Sequence, residues 1–193
     1  MTTVDHRRAV ADRNRAAILD AVERLLSDRQ PLTMAGLATA AGVSRPTLYA
    51  HFKTLPEVVE ATAEKLVLES VSAIEAAQPE EGPADEAITR MIEASWDRLG
   101  GMEALLRGGA EYLPAGHLDR THAPIMVLTF GVIERGQRDG TFRTDLPAVW
   151  LVRAYYTLIH AADEMARSSS GPNRKHSLAM LKTSVLDLLR GPR

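Results

Sequence analysis

Residues 33–54, TMAGLATAAGVSRPTLYAHFKT, decide the fold. Small and apolar residues at helical spacing lead into Gly42, and a second short run follows it, which is the layout of two helices joined by a tight turn, a helix-turn-helix. Leu37 and Ala38 sit on the first helix, Thr33 stands at its N-cap, and Gly42 supplies the positive φ that a sharp turn needs. Val43 and Leu48 plug the angle between the helices. From Ser44 onward the side chains left facing outward are Ser44, Arg45, Pro46, Thr47, Tyr49 and His51. Such a set can hydrogen-bond base edges, touch thymine methyls and hold phosphate oxygens, so the segment reads as a DNA reader.

Outward from this stretch the apolar spacing is helical nearly everywhere, and the chain is all-α. A helix from about Arg13 to Ser27 carries Ile18, Val22, Leu25 and Leu26 on one face, and Pro31 marks its far side. A fourth helix starts near Pro56-Glu57 with Val59, Ala63, Leu66, Val67, Ser70 and Ile74 on one stripe. The run Gln78-Pro-Glu-Glu-Gly-Pro83 breaks the chain and opens a second bundle. Helices are predicted there over 84–99, 102–107 and 123–135, separated by Gly100-Gly101, Gly108-Gly109 and the loop Pro114-Ala115-Gly116. Gly136 to Gly140 reads as a turn, Asp145-Leu-Pro147 as the opening of a long helix to about Arg167, and Ser168 to Pro172 as a loop before the last helix.

With 45% hydrophobic and 25% charged residues, 193 residues suffice for one or two small domains with real cores. The absence of cysteine excludes disulfides, a thiolate zinc site and a cysteine nucleophile. No apolar core of a signal peptide opens the chain and no window approaches 18 uninterrupted apolar residues, so a cytoplasmic protein without membrane contact is expected. The formal charge of -2 hides a division: residues 1–55 hold eight Lys and Arg against five acids, and the remainder holds 15 against 20. A basic reader on an acidic body concentrates phosphate attraction at the reader.

The segment, with the helix on either side, resembles the DNA-binding domain of the TetR family of bacterial transcriptional regulators. Leu37-Ala38, Ala41-Gly42-Val43-Ser44, and Thr47-Leu48-Tyr49 followed by His51-Phe52 carry the likeness, over about residues 14–60. It implies an N-terminal three-helix helix-turn-helix DNA-binding domain, residues 1–55, and a C-terminal helical bundle for ligand binding and dimerisation, residues 56–193. Arg45 is the candidate base reader, because a guanidinium can bond guanine bidentately; Pro46 and Thr47 would meet thymine methyls or the sugar edge. Ser44 completes the outward set. Thr33, Tyr49, His51 and Lys53 are placed to fix the register on phosphates, as matching positions do in the family. Leu48 and Phe52 belong to the core. One departure stands out: the family usually has a lysine where this chain has Leu55, and Lys53 is the candidate substitute. His6, Arg7 and Arg8, with Arg13 and Arg15, form either a flexible arm that reaches the backbone or a solvated tail.

The last two helices carry apolar stripes, Ala148, Leu151, Val152, Tyr155, Ile159 and Ala162 on one and Leu178, Leu181, Val185, Leu188 and Leu189 on the other, with Met180 and Leu186 on its flank. Either they form the intramolecular core, or two copies bury them in a four-helix interface, which resembles dimerisation in the TetR family. The candidate dimer residues are Leu151, Tyr155, Leu178, Leu181, Val185 and Leu188. A homodimer would read a palindromic double-stranded DNA operator, and the resemblance implies a repressor released by a small-molecule effector.

Candidate ligand residues are Met91, Trp96, Met102, Tyr112, Met126, Phe130, Tyr155, Tyr156 and His160, a mixture that suits a largely apolar effector with one or two polar anchors. The glycines at 100, 101, 108 and 109 would give the pocket a deformable wall. His117 and His122, with Asp119 between them, fit no common metal-ligand spacing; neither metal nor cofactor is expected. No dinucleotide fingerprint, phosphate loop, His-Glu-x-x-His or Gly-x-Ser-x-Gly is present, so an enzyme is not expected. The alternative is a ligand-independent helix-turn-helix or architectural DNA-binding protein.

Overall fold

The computed structural model describes residues 3–168 and 171–191, and all regular structure among them is helical. The loop expected at Ser169 and Ser170, and the side chain of Asp119, lie outside the described residues. Nine α-helices follow in order: α1 Thr3–Ser27, α2 Met34–Ala41, α3 Arg45–His51, α4 Leu55–Ala76, α5 Ala84–Trp96, α6 Leu99–Gly108, α7 His117–Arg138, α8 Ala148–Arg167 and α9 Arg174–Arg190, with a 3₁₀ turn at Ala110–Tyr112. None of the described helices is long and apolar enough to cross a membrane.

The chain packs as two compact units, Met1–Leu66 with Gly101–Leu118, and Val67–Gly100 with Asp119–Arg193. In the first, Ile18, Leu19, Val22 and Leu26 of α1 are buried with Leu37 of α2, Leu48 of α3, Phe52, and Val58 and Val59 of α4. Lys65 of α4 ties that helix to α1 through Asp20 at 2.7 Å and Glu23 at 2.6 Å. α1 ends in a double hydrogen bond in which Arg29 N donates to Leu26 O and Gln30 N to Leu25 O, the Schellman arrangement. Arg29 takes the left-handed position of that motif at φ 55°. A side chain with a Cβ is held there at a cost of roughly 1–2 kcal/mol.

In the second unit Ile88, Met91, Ile92 and Trp96 of α5 meet Val132 and Ile133 of α7, Leu151, Val152, Tyr155 and Ile159 of α8, and Leu181, Val185 and Leu189 of α9. The loop 77–83 is pinned by two guanidiniums: Arg90 donates to the carbonyls of Ala77, Gln78 and Glu81, and Arg135 to those of Pro79 and Gly82.

Several boundaries differ from the sequence expectation. The first helix begins ten residues early, so His6, Arg7, Arg8, Arg13 and Arg15 are exposed positions on α1, not a free arm or tail. Gly100 and Gly101 lie inside α6 instead of breaking it. A Cβ on Gly101 would lie 3.0 Å from Leu66 Cδ2 and 3.1 Å from Glu23 Oε2, and one on Gly108 would lie 2.9 Å from Leu26 Cδ2. These glycines let α6 approach α1 and α4 closely, which is the opposite of a deformable wall. α7 starts at His117, six residues before the expected 123, with Pro124 inside it, and it runs on past Gly136, where the turn was expected to begin.

A candidate DNA-reading face and a candidate effector site

The reader is built from caps. Thr33 Oγ1 accepts the Gly36 N–H at 3.0 Å and starts α2, and Gly42, at φ 67°, ends it. Ser44 Oγ accepts the Thr47 N–H at 3.2 Å, pairs with Thr47 Oγ1 at 2.8 Å, and starts α3 with Pro46 in its first turn. Each cap satisfies a backbone donor that the first turn of a helix leaves without a partner. Arg24 of α1 donates to Ala40 O at 2.9 Å and so anchors α2. Leu48 is buried behind α3, Val43 is half-buried, and the Arg15 guanidinium covers the ring of buried Phe52 at 5.4 Å.

What remains on the outer face of α3 is Arg45, Pro46 and Tyr49, with Tyr49 45% exposed. No described residue hydrogen-bonds or ion-pairs with the Arg45 guanidinium. Thr47 and His51 are half-buried and flank this face; Ser44 and Thr33 are exposed although their hydroxyls act as caps. Lys53 is exposed, but its ammonium donates to Tyr49 O at 2.6 Å, on the C-terminal carbonyls of α3, while its N–H donates to Glu57 Oε2 at 2.7 Å. Leu55, at the position of the missing lysine, is half-buried.

The ligand candidates divide between the units. Met102 and Tyr112 belong to the first unit and the others to the second. There Met91, Trp96 and Tyr155 are core residues, Met126 is half-buried, and Phe130 lies on the outer face of α7, 37% exposed. Tyr156 and His160 of α8 have ring centroids 4.7 Å apart, and buried His122 of α7 meets Tyr156 edge-on at 5.6 Å. His122 is thus a buried ring; no group of three metal-binding side chains exists among the described residues. Burial, and then His122 and Arg167, hold the His160 imidazole below its ordinary value against the opposing pull of Asp163. Burial pushes the Tyr155 and Tyr156 phenols far up. Tyr156 and His160 are therefore neutral near pH 7 and present both donors and acceptors.

Asp163, one turn beyond His160, is fully buried; its carboxylate accepts from Arg174 Nη1 at 2.9 Å and pairs with Arg167 Nε at 3.0 Å. Arg174 also stacks on the Trp96 ring, 4.7 Å from its centroid, and donates to the Trp96 carbonyl. The buried Trp96 indole N–H has no acceptor among the described residues. Sequence patterning singled out His122 as a surface or pocket-lining histidine without joining it to Tyr156, and missed this ion network. The signal for Asp163 was present: it falls four residues after Ile159 on the stripe of Leu151, Val152 and Tyr155, where a charge requires partners.

Of the candidate dimer residues, Leu151, Tyr155, Leu181 and Val185 are buried in the protomer's own core and have almost no surface left to give a partner. Leu178 and Leu188 are half-buried against that core. Exposed apolar surface lies beside them, in a groove of about 120 Å³ between α8 and α9 lined by Leu158, Ala161, Met165, Met180 and Ser184, with Met165 47% and Met180 45% exposed; Val149 and Trp150 at the start of α8 are exposed as well.

A family model described as "Bacterial regulatory proteins, tetR family" matches residues 18–62. The HTH-type transcriptional repressor LfrR of Mycolicibacterium smegmatis is 30% identical over 186 residues, 96% of this chain and 95% of that protein. The chain belongs to the TetR family. The solved structure of LfrR from Mycobacterium smegmatis in complex with proflavine, 25% identical, covers 94% of this TetR-family chain and 98% of its own, with a TM-score of 0.74. FadR from Bacillus subtilis in complex with stearoyl-CoA, 16% identical, shares the fold over 92% of this chain and 99% of its own, with a TM-score of 0.76. As a TetR-family member the protein is a helix-turn-helix transcriptional regulator, and its relatives are regulators rather than enzymes.

Proposed function

We propose that the protein is a repressor that binds a palindromic operator as a homodimer and is released by a small, largely apolar effector. The observation that carries this is the outer face of α3, where Arg45, Pro46 and Tyr49 stand exposed on a helix whose caps and core contacts are supplied by other residues. Arg45 reads guanine, Pro46 and Thr47 meet thymine methyls or the sugar edge, and Ser44, Thr33, Tyr49 and His51 hold phosphates. Lys53 takes the place of the lysine missing at Leu55 by trading its Tyr49 carbonyl bond for a phosphate. Residues 1–55 act as the DNA-binding domain and 56–193 as the domain for effector and partner.

Two copies meet through the α8/α9 groove of Leu158, Met165 and Met180, and each reads one half-site, with half-sites about 34–36 Å apart. Proflavine in the LfrR complex is a planar aromatic molecule. A ligand of that kind suits the rings of Tyr156, His160 and His122. An effector that weakens DNA binding must itself be bound more weakly by the DNA-bound form, with coupling of about 1–3 kcal/mol.

The decisive experiment is binding to DNA from immediately upstream of the protein's own coding region, competed with random DNA at fixed salt. Retention by about 10³ over random DNA is the expected result. Equal competition at every candidate site would favour the architectural alternative. Because acridines intercalate into DNA, proflavine is titrated by calorimetry against the free protein; binding lost in Tyr156→Ala is expected.

A further inference from the structure

The first unit holds a groove that neither DNA reading nor the effector site uses. Its volume is about 580 Å³, and it runs between the end of α1 with its following loop, contributing Leu26, Arg29 and Leu32, and the end of α6 with its 3₁₀ turn, contributing Arg107, Gly108 and Tyr112. Buried Leu26 and Leu32 lie beneath it, with Gly108 packed so closely over Leu26 that a Cβ there would come within 2.9 Å of Leu26 Cδ2. Two cations, Arg29 and Arg107, line the walls, together with Gln30 and the carboxylate of Glu111. No described residue hydrogen-bonds or ion-pairs with the guanidinium of Arg29 or of Arg107. Arg29 also occupies the left-handed C-terminal position of α1, where glycine is the usual residue, so the backbone is strained at a residue whose side chain lines the groove. Burial, and then neighbouring Glu111, raise the Tyr112 phenol above its usual value, so it offers a neutral hydroxyl.

We propose that this groove binds an amphiphilic organic anion, its carboxylate or sulfonate held by Arg29 and Arg107 and its apolar body laid over Leu26, Leu32 and Tyr112. Planar guanidinium forks suit such head groups, and an unpaired pair of them on an apolar floor selects against amines and neutral alcohols of the same length. The occupant bridges α1 to α6, and the site is separate from the rings of Tyr156 and His160 in the second unit.

The full-length protein is titrated with 8-anilinonaphthalene-1-sulfonate by fluorescence, with decanoate, decylamine and decanol as competitors. One saturable class of sites is expected, displaced by decanoate and by neither decylamine nor decanol. In Arg29→Gln/Arg107→Gln its affinity falls about tenfold or more, while the exposed-charge control Arg138→Gln binds as wild type. Arg29→Gly separates charge from folding: it relaxes the left-handed backbone, so its melting temperature rises while anion affinity falls. Absence of a saturable site, equal displacement by decylamine, or unchanged affinity in the double variant would overturn the assignment.

Discussion

Arg45→Ala isolates base reading from folding. The Arg45 side chain is exposed on α3 and has no hydrogen-bond or ion-pair partner among the described residues, so its truncation removes no such intramolecular bond. Surface changes of this type alter stability by about 0.5 kcal/mol or less, and urea melts of variant and wild type should superimpose. A bidentate Arg–guanine contact discriminates by about 1–3 kcal/mol, and a symmetric dimer makes two of them, so the loss on the operator is about 2–6 kcal/mol, or roughly 30-fold to 10⁴-fold. On random DNA the same change removes only a diffuse attraction. Fluorescence anisotropy with an operator duplex and a scrambled duplex, at one salt concentration, measures both. A loss equal on the two duplexes would make Arg45 a phosphate contact and refute its role as a reader. A shifted urea midpoint would refute its independence from the fold.

Ser44→Ala should behave in the converse way, lowering stability by about 1 kcal/mol through loss of the cap on the Thr47 N–H, as read by urea midpoint. Met165→Glu with Met180→Glu places charges at exposed positions of the α8/α9 groove, outside the core, and should yield folded monomers by sedimentation; a persistent dimer would move the interface elsewhere. His160 is held below its ordinary value, so the unfolded chain binds the proton first: stability is full above about pH 6.5 and is lost as pH falls toward the folded-state value. Thermal melts from pH 8 to pH 5 should show that decline, and His160→Gln should flatten it.

The helix-turn-helix was legible because its signals are local. Thr33, Gly42 and Ser44 act on backbone groups three or four residues away, and any sequence window holds both halves of the interaction. The stripes on α8 and α9 were legible as buried faces and not as to what buries them. Periodicity shows that Leu151, Tyr155, Leu181 and Val185 leave water, whereas α5 and α7, distant in sequence, determine that the protomer's own core receives them. Gly100 and Gly101 misled for a related reason: a glycine pair that reads as a break can equally be the place where Leu66 and Glu23 come close. The ring cluster of His122, Tyr156 and His160 joins positions more than thirty residues apart, with no spacing rule to expose it.

The division of labour within α3 bears on how such a regulator changes over evolutionary time. Leu48 and Phe52 are committed to the core and Ser44 to a cap, so substitutions there are penalised through folding before DNA is ever met. Arg45, Pro46 and Tyr49 carry no comparable obligation, and mutation can sample them at nearly constant stability. After duplication of the gene, a few changes at these positions would be enough to give one copy a new operator while both kept the same scaffold, partner face and effector chemistry.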